Sequence, residues 1–257
     1  MKKAILLPDL HHPYHNKRAW KAVLSFIKWF RPNTIVLMGD ALEMRAIDHW
    51  KKEKGNHRAF EGIRLLHDYN DFIKDVLEPL ETLRPKARKI YLGGNHEQWA
   101  YNVIDQNPEL EGMIEPENAM KLEERGWEWI PFINRQGKRG MLKLGKLTLV
   151  HGEYTNKFHA SKTADTYLKS VCYAHCHDVQ VFTKVHVEDP NDYHTCQSIG
   201  CLCDKSPAFL WGRPNRWVHA FGALYLQPNG MFNLYVPIII KGRFVYANKL
   251  FDWTQAF

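Results

Sequence analysis

The sequence predicts an α/β fold, alternating strand and helix in its first half and mainly β in its second. Three observations carry this. Apolar runs at 3–7, 34–38 and 89–92 are separated by stretches with helical spacing, which implies parallel strands joined by right-handed crossovers. After Trp127 the pattern changes to short β-like runs with tight turns. Polar residues able to do chemistry gather just after the strand-like runs, where open α/β sheets collect their ligands.

Taken in order, 3–7 reads as a buried strand closed by Pro8, with 9–15 as the loop at its carboxyl end. Trp20, Val23, Leu24, Ile27 and Phe30 recur at helical spacing until Pro32. A second strand at 34–38 ends in Gly39-Asp40. The stretch 50–58 is basic and reads as loop or a frayed helix start. A long helix follows through Leu66, Tyr69, Ile73, Val76 and Leu80, with Pro79 at its end or in its last turn. The third strand, 89–92, leads into Gly93-Gly94-Asn95-His96, where Gly94 is expected to let the backbone turn sharply. Short helices are expected at 97–104 and 117–125, the second closed by Gly126.

Residues 127–133, 140–144 and 146–150 read as short strands, 160–169 as a helix, and 171–174 and 179–185 as strands. The polar stretch 190–214 has little periodicity and reads as a loop insert. The runs 217–226, 231–240 and 243–247 read as an antiparallel meander turned by Pro228-Asn229-Gly230 and Lys241-Gly242.

At 257 residues the chain is expected to form a single domain, 1–257, with a substantial core. Its net charge of +7 suits a polyanionic partner such as nucleic acid, and equally suits a plain basic enzyme. No stretch is apolar enough to span a membrane, and the run at 4–7 is too short for a signal peptide. Five cysteines exclude a full disulfide framework, and reduced thiols place the chain in the cytoplasm.

The strand ends supply a set of nitrogen and oxygen donors. Asp9 and His11 alternate, so on an extended segment both would point to one side. Asp40 has two carboxylate oxygens and could bridge two cations. Asn95 offers a neutral carbonyl, and His151, His175 and His177 offer imidazoles. Such mixed ligation suits Mn, Fe, Zn, Co or Ni better than a soft thiolate metal. Two cations about 3.5–4 Å apart can clamp the attacking and leaving oxygens of an in-line displacement, and they make hydroxide available near neutral pH. Any one of these histidines alone is an ordinary polar residue; the force lies in five strand ends acting together.

Asp9-Leu10-His11, Gly39-Asp40, Gly94-Asn95-His96-Glu97, His151-Gly152 and His175-Cys176-His177 resemble the five ordered signatures of calcineurin-like metallophosphoesterases: D-x-H, G-D, G-N-H-[DE], H-[GA] and G-H-x-H. The resemblance covers 9–177. It implies a four-layer sandwich of two packed mixed β-sheets flanked by helices, with a dimetal site at strand carboxyl ends. It implies two divalent ions, manganese first, with Ni, Zn, Fe, Co or Mg as alternatives. Asp9, His11 and His177 would hold one ion and Asn95, His151 and His175 the other, with Asp40 between them. His96 would face substrate and protonate the leaving oxygen. Ala174 replaces the usual glycine of the last signature. Ala41-Leu42-Glu43 after Asp40, and His12 after His11, depart from the Ser/Thr phosphoprotein phosphatases. The segment 200–204 and the stretch from Trp217 through the final run are similar to phage-encoded members, which would mean a host cytoplasm.

Arg45 and His12 are further candidates for substrate contact. Glu97 or Asp48 is a candidate to orient His96 or another of the imidazoles. His194 with Cys196, Cys201 and Cys203 lacks zinc-site spacing and reads as packed or surface residues. Basic clusters at 50–58, with Trp50 as a stacking platform, and at 84–89 could track nucleic acid. The expected function is dimetal hydrolysis of phosphodiesters or phosphomonoesters of nucleotides or nucleic acid. Alternatives are a broad phosphoprotein phosphatase and a non-catalytic, metal-dependent nucleic-acid-binding protein.

Overall fold

The computed structural model of the chain describes residues 1–47, 62–189, 191–207, 210 and 212–254. β1 (Lys2–Leu7) runs into the core, its last four residues buried. α1 (Lys17–Phe30) starts where Asn16 Oδ1 accepts the Ala19 N–H at 2.9 Å, and it stops at Arg31, which has a left-handed φ of 52°. The predicted apolar stripe from Trp20 to Phe30 is its buried face. β2 (Thr34–Leu37) pairs in parallel with β1.

The long helix expected next comes in three pieces: α2 (Gly62–Phe72), a π-helical turn (Ile73–Leu77) and α3 (Glu78–Leu83). It continues past Pro79. An α-helix would direct the N–H of residue 79 at the Asp75 carbonyl; proline has none, and the Trp20 indole donates there instead at 3.1 Å. β3 (Arg88–Leu92) then leads to α4 (Asn95–Gln106), which starts two residues earlier than its apolar spacing suggested. Glu97 Oε2 accepts the Gly94 N–H at 2.8 Å and secures that first turn. The helix expected over 117–125 shrinks to α5 (Pro116–Ala119), because Lys121 takes a left-handed φ of 50°. β4 (Trp127–Ile130) lies parallel to β3 and so belongs to the first sheet.

The second sheet contains β5 (Leu142–Leu144) and β6 (Leu147–Val150), followed after α6 (His159–Tyr167) by β7 (Val171–Tyr173), β8 (Val181–Val185) and β9 (Tyr193–Ser198). Its order is β5-β6-β7-β9-β8, parallel from β6 to β9 and antiparallel at both edges. The stretch 190–214 is therefore not a plain loop. Only Cys196 and Ser198 of β9 are buried, so its alternation is carried by a thiol and a hydroxyl and is faint in the sequence.

The predicted final meander is divided. β10 (Gly222–Leu226) pairs antiparallel with β1 and β11 (Phe232–Tyr235) antiparallel with β10, extending the first sheet to β11-β10-β1-β2-β3-β4. β12 (Arg243–Tyr246) and β13 (Lys249–Asp252) form a separate hairpin, turned by left-handed Ala247 and Asn248. Phe244 and Phe251 face Phe26 of α1, with ring centroids 5.6 and 5.1 Å away, which draws this hairpin onto the helix.

Side-chain alternation sets the layers. Leu6, Val36, Met38, Ile90 and Leu92 meet Leu142, Leu149 and Cys172 between the sheets. Ile5, Leu7, Ile35, Leu37 and Tyr91 face the helices of the first half. On the far side, Ala164 of α6 packs against Val150, Val171, Tyr173 and Cys196. The result is two packed mixed sheets flanked by helices, the architecture implied by the five motifs.

The basic stretch 50–58, Asp48 and His49 lie outside the described residues. In the 84–89 cluster Arg84 donates to the Pro32 carbonyl, exposed Arg88 to Glu128, and buried Lys89 to the Pro85 and Ala87 carbonyls, while Lys86 is exposed. The cluster lies at the end of β3 opposite the one leading to Asn95. Cys196, Cys201 and Cys203 are buried free thiols. Among the described residues no helix is long and apolar enough to cross a membrane.

Buried His15 stacks on His12 at 5.2 Å, and its Nδ1 has no hydrogen-bond partner among the described residues. Burial, then the neighbouring His12, push its pKa down to about 4. The unfolded chain therefore binds the extra proton first as pH falls. Stability present above about pH 6.5 is lost as pH falls through 4. Denaturant midpoints should decline across that window, and less steeply in His15→Phe; an unchanged slope in the variant would contradict this.

Candidate metal centre

The carboxyl ends of β1, β2, β3, β6 and β7 carry the predicted ligands to one place. Asp9 and His11 follow β1, Asp40 follows β2, and Asn95 opens α4. His151 follows β6, and His175 and His177 follow β7. The backbone at 9–11 is not extended as expected. Asp9 (φ 41°), His11 (48°), Asp40 (47°), His175 (69°) and His177 (61°) are all left-handed. Each non-glycine residue there carries a cost that neighbouring structure must offset, and such strain concentrates at ligand clamps. Backbone bonds supply that support: the His11 N–H donates to the Asp40 carbonyl at 2.9 Å and the Ala174 N–H to the His151 carbonyl at 2.7 Å.

Asp40 is central. Its Oδ1 accepts the backbone N–H of His96 at 2.9 Å. Its Oδ2 lies 3.2 Å from His151 Nε2, 3.8 Å from His11 Nε2 and 4.0 Å from His96 Nε2. Ligand atoms of Asp9, His11 and His177 converge on one side, and those of Asp40, His151 and His175 on the other; His11, Asp40 and His96 form a third group between them. Asn95 Oδ1 is 3.1 Å from His151 Nε2. All seven predicted ligands are thus brought together, with His96 beside them.

Arg45 and His12 are not brought into this cluster. Arg45 grips Asp68, with Nε 3.3 Å from Oδ2 and Nη2 against Oδ1. His12 packs its buried ring on His15 and Phe72, and its Nε2 lies 3.1 Å from Asp75.

Two acids define the surroundings. Glu43, absent from the sequence assignment, accepts from His11 Nδ1 at 2.7 Å and lies 3.7 Å from His96 Nδ1. Its one sequence signal is an acid in the otherwise apolar run 41–44. Glu97 does not orient His96. Its carboxylate accepts the N–H groups of Asp40, Leu42 and Gly94 and the Tyr91 hydroxyl, tying the Asp40 loop to α4. Gly94 is needed for space, since its φ of −106° is ordinary and an added Cβ would strike Asp40.

Hydrogen bonds also select the imidazole tautomers. His11 Nδ1 donates to Glu43, His151 Nδ1 to the Met38 carbonyl at 2.9 Å, and His96 Nδ1 to the Glu43 carbonyl at 3.1 Å. Each Nε2 is left facing Asp40, which is how second partners prepare a histidine to bind a metal. Burial disfavours charge on His11 and His151. For His11 the Glu43 hydrogen bond and charge outweigh burial; for His151 the charge of Asp40 does. Both rise to about 9. Burial likewise opposes charge on Asp40, but His151 and then His96 hold it well below the usual carboxylate range. Burial, then His151, push the His175 pKa down to about 4.

The residues fit divalent cations. Asp9, Asp40 and Glu43 are buried and face imidazoles. His11 Nε2 and His177 Nε2 lie 3.1 Å apart, a contact that needs a proton or a cation between two lone pairs. A fourth group, His159, Cys176 and Asp178, is internally engaged. His159 bonds Tyr173 and Asp178, and the Cys176 thiol donates to the Tyr154 carbonyl. Gly94→Ala should weaken any divalent-cation binding at the cluster about tenfold and destabilise the fold by about 1–3 kcal/mol through overpacking. Calorimetric titration showing unchanged affinity would contradict the close-approach account.

No protein-family model and no curated protein matches the chain. Among solved structures, the chain is similar to vacuolar protein sorting 29 from Cryptosporidium parvum (TM-score 0.46, 13% identity, covering 98% of both chains). It is also similar to Vps29 from Chaetomium thermophilum (TM-score 0.44, 12% identity, covering 94% of this chain and 93% of that one).

Proposed function

We propose that this chain is a dimetal-dependent hydrolase of phosphodiester or phosphomonoester bonds in nucleotides or nucleic acid. One observation carries the reading: Asp40 Oδ2 lies within 4.0 Å of three imidazole Nε2 atoms drawn from the ends of three strands. That is the position of a bridging carboxylate between two ligand groups. The five ordered motifs support the same assignment. Asp9, His11 and His177 would hold one cation and Asn95, His151 and His175 the other. Bound there, divalent cations would activate water near neutral pH and neutralise phosphate charge.

The chain's own groups have separate tasks. Glu43 holds His11 by Nδ1 and keeps its Nε2 turned to the centre. Glu97 fixes the Asp40 loop, so the carboxylate need not reorganise when substrate arrives. His96 is braced by the Glu43 carbonyl and by Trp99, whose ring lies 4.1 Å away. Its Nε2 would hand a proton to the leaving oxygen, with the Glu43 carboxylate stabilising the positive ring.

A screen of Mn, Ni, Zn and Mg against bis-aryl phosphate, aryl monophosphate, cyclic nucleotides, DNA, RNA and a phosphopeptide tests the reading. Hydrolysis is expected for nucleotide-type esters. Asp40→Ala should lose bound metal and fall to background; full activity in that variant would overturn the dimetal assignment. His96→Ala should retain metal while kcat falls about 10²- to 10⁴-fold, most for poor leaving groups. Loss of metal in that variant would make His96 a ligand instead.

A further inference from the structure

A cavity of about 330 Å³ adjoins the candidate centre and shares His175 and His177 with it as lining residues. One wall is the loop after β6, with Asn156 and Lys157; the other is Arg216 and Trp217. The second wall is built into the fold. The Val218 N–H donates to the His177 carbonyl at 2.7 Å, and the Trp217 N–H donates to Asn215 Oδ1 at 3.1 Å. The Trp217 ring is thereby held 4.3 Å from the His177 ring, inclined at 69°. Lys157 and Arg216 are exposed cations on opposite walls. Asp178, the acid at this cavity, is engaged by His159 and by the Ser198 hydroxyl.

This combination is selective. Indole favours a flat aromatic group, and cations flanking it favour a phosphate that is not the one at the metals. The volume lies at the small end of ligand pockets, enough for one nucleoside. A base stacked inside a duplex could not enter it. We infer that this cavity is a nucleoside subsite: Trp217 takes a base, and Lys157 and Arg216 take the next phosphate of a single strand. The inference rests on the phosphoesterase reading and narrows its substrate to single-stranded or short nucleotide esters.

The test measures equilibrium binding to the full, manganese-loaded chain by calorimetry and needs no turnover. The probes are thiophosphate, adenosine 5′-thiophosphate, and the same nucleotide carrying a 3′-phosphate. Affinity should rise about tenfold at each step. Trp217→Ala should abolish the first step, read as the ratio of adenosine 5′-thiophosphate to thiophosphate affinity in the same variant. Because both side chains are exposed, Arg216→Gln and Lys157→Gln should fold normally, and each should shrink the second step at least threefold. Equal affinities for the three probes in the natural protein would overturn the subsite, as would steps that survive these substitutions. The phosphoesterase reading fails separately, if none of the diesters or monoesters in the screen is hydrolysed with any metal.

Discussion

The structure depends on burying one carboxylate among imidazoles. Asp40 is nearly inaccessible, yet its Oδ2 faces His11, His96 and His151. A buried anion is costly unless positive charge stands beside it. Here protons on His11 and His151, or cations in their place, supply that charge. The raised pKa values of these two imidazoles express the same demand as the ligand geometry: the buried carboxylates favour positive charge beside them.

The fold makes this arrangement possible by bringing the carboxyl ends of two sheets together. The first sheet supplies Asp9, His11, Asp40 and Asn95, and the second supplies His151, His175 and His177. The apolar layer between the sheets fixes their relative position, so ligands distant in sequence meet within hydrogen-bond range. Glu97 then joins the β2 loop to the start of α4 through three backbone N–H groups. Left-handed Asp40 is held by the Glu97 bond to its N–H, and left-handed His11 by its own N–H bond to the Asp40 carbonyl.

Much of this was legible in the sequence because the parallel strands are continuous apolar runs that end abruptly in Asp, Asn or His. The motif residues and the stripe on α1 followed from that pattern; the four-layer architecture followed from the resemblance that the five ordered motifs carry. What was hidden depended on distance or on weak contrast. Glu43 matters through His11, 32 residues away. β9 alternates a thiol and a hydroxyl inward, so it reads as loop. The hairpin β12–β13 looks like more meander until Phe244 and Phe251 are seen against Phe26. Gly94 looked like a turn residue; contact with Asp40, which no local pattern records, gives its reason. Trp217 gains meaning only where the chain returns to His177.

Anomalous diffraction from crystals of the chain soaked in manganese tests the central claim most directly. The account predicts two peaks, one bounded by Asp9, His11 and His177 and one by Asn95, His151 and His175, each within bonding distance of Asp40. A single peak, or two peaks that do not share Asp40, would contradict it.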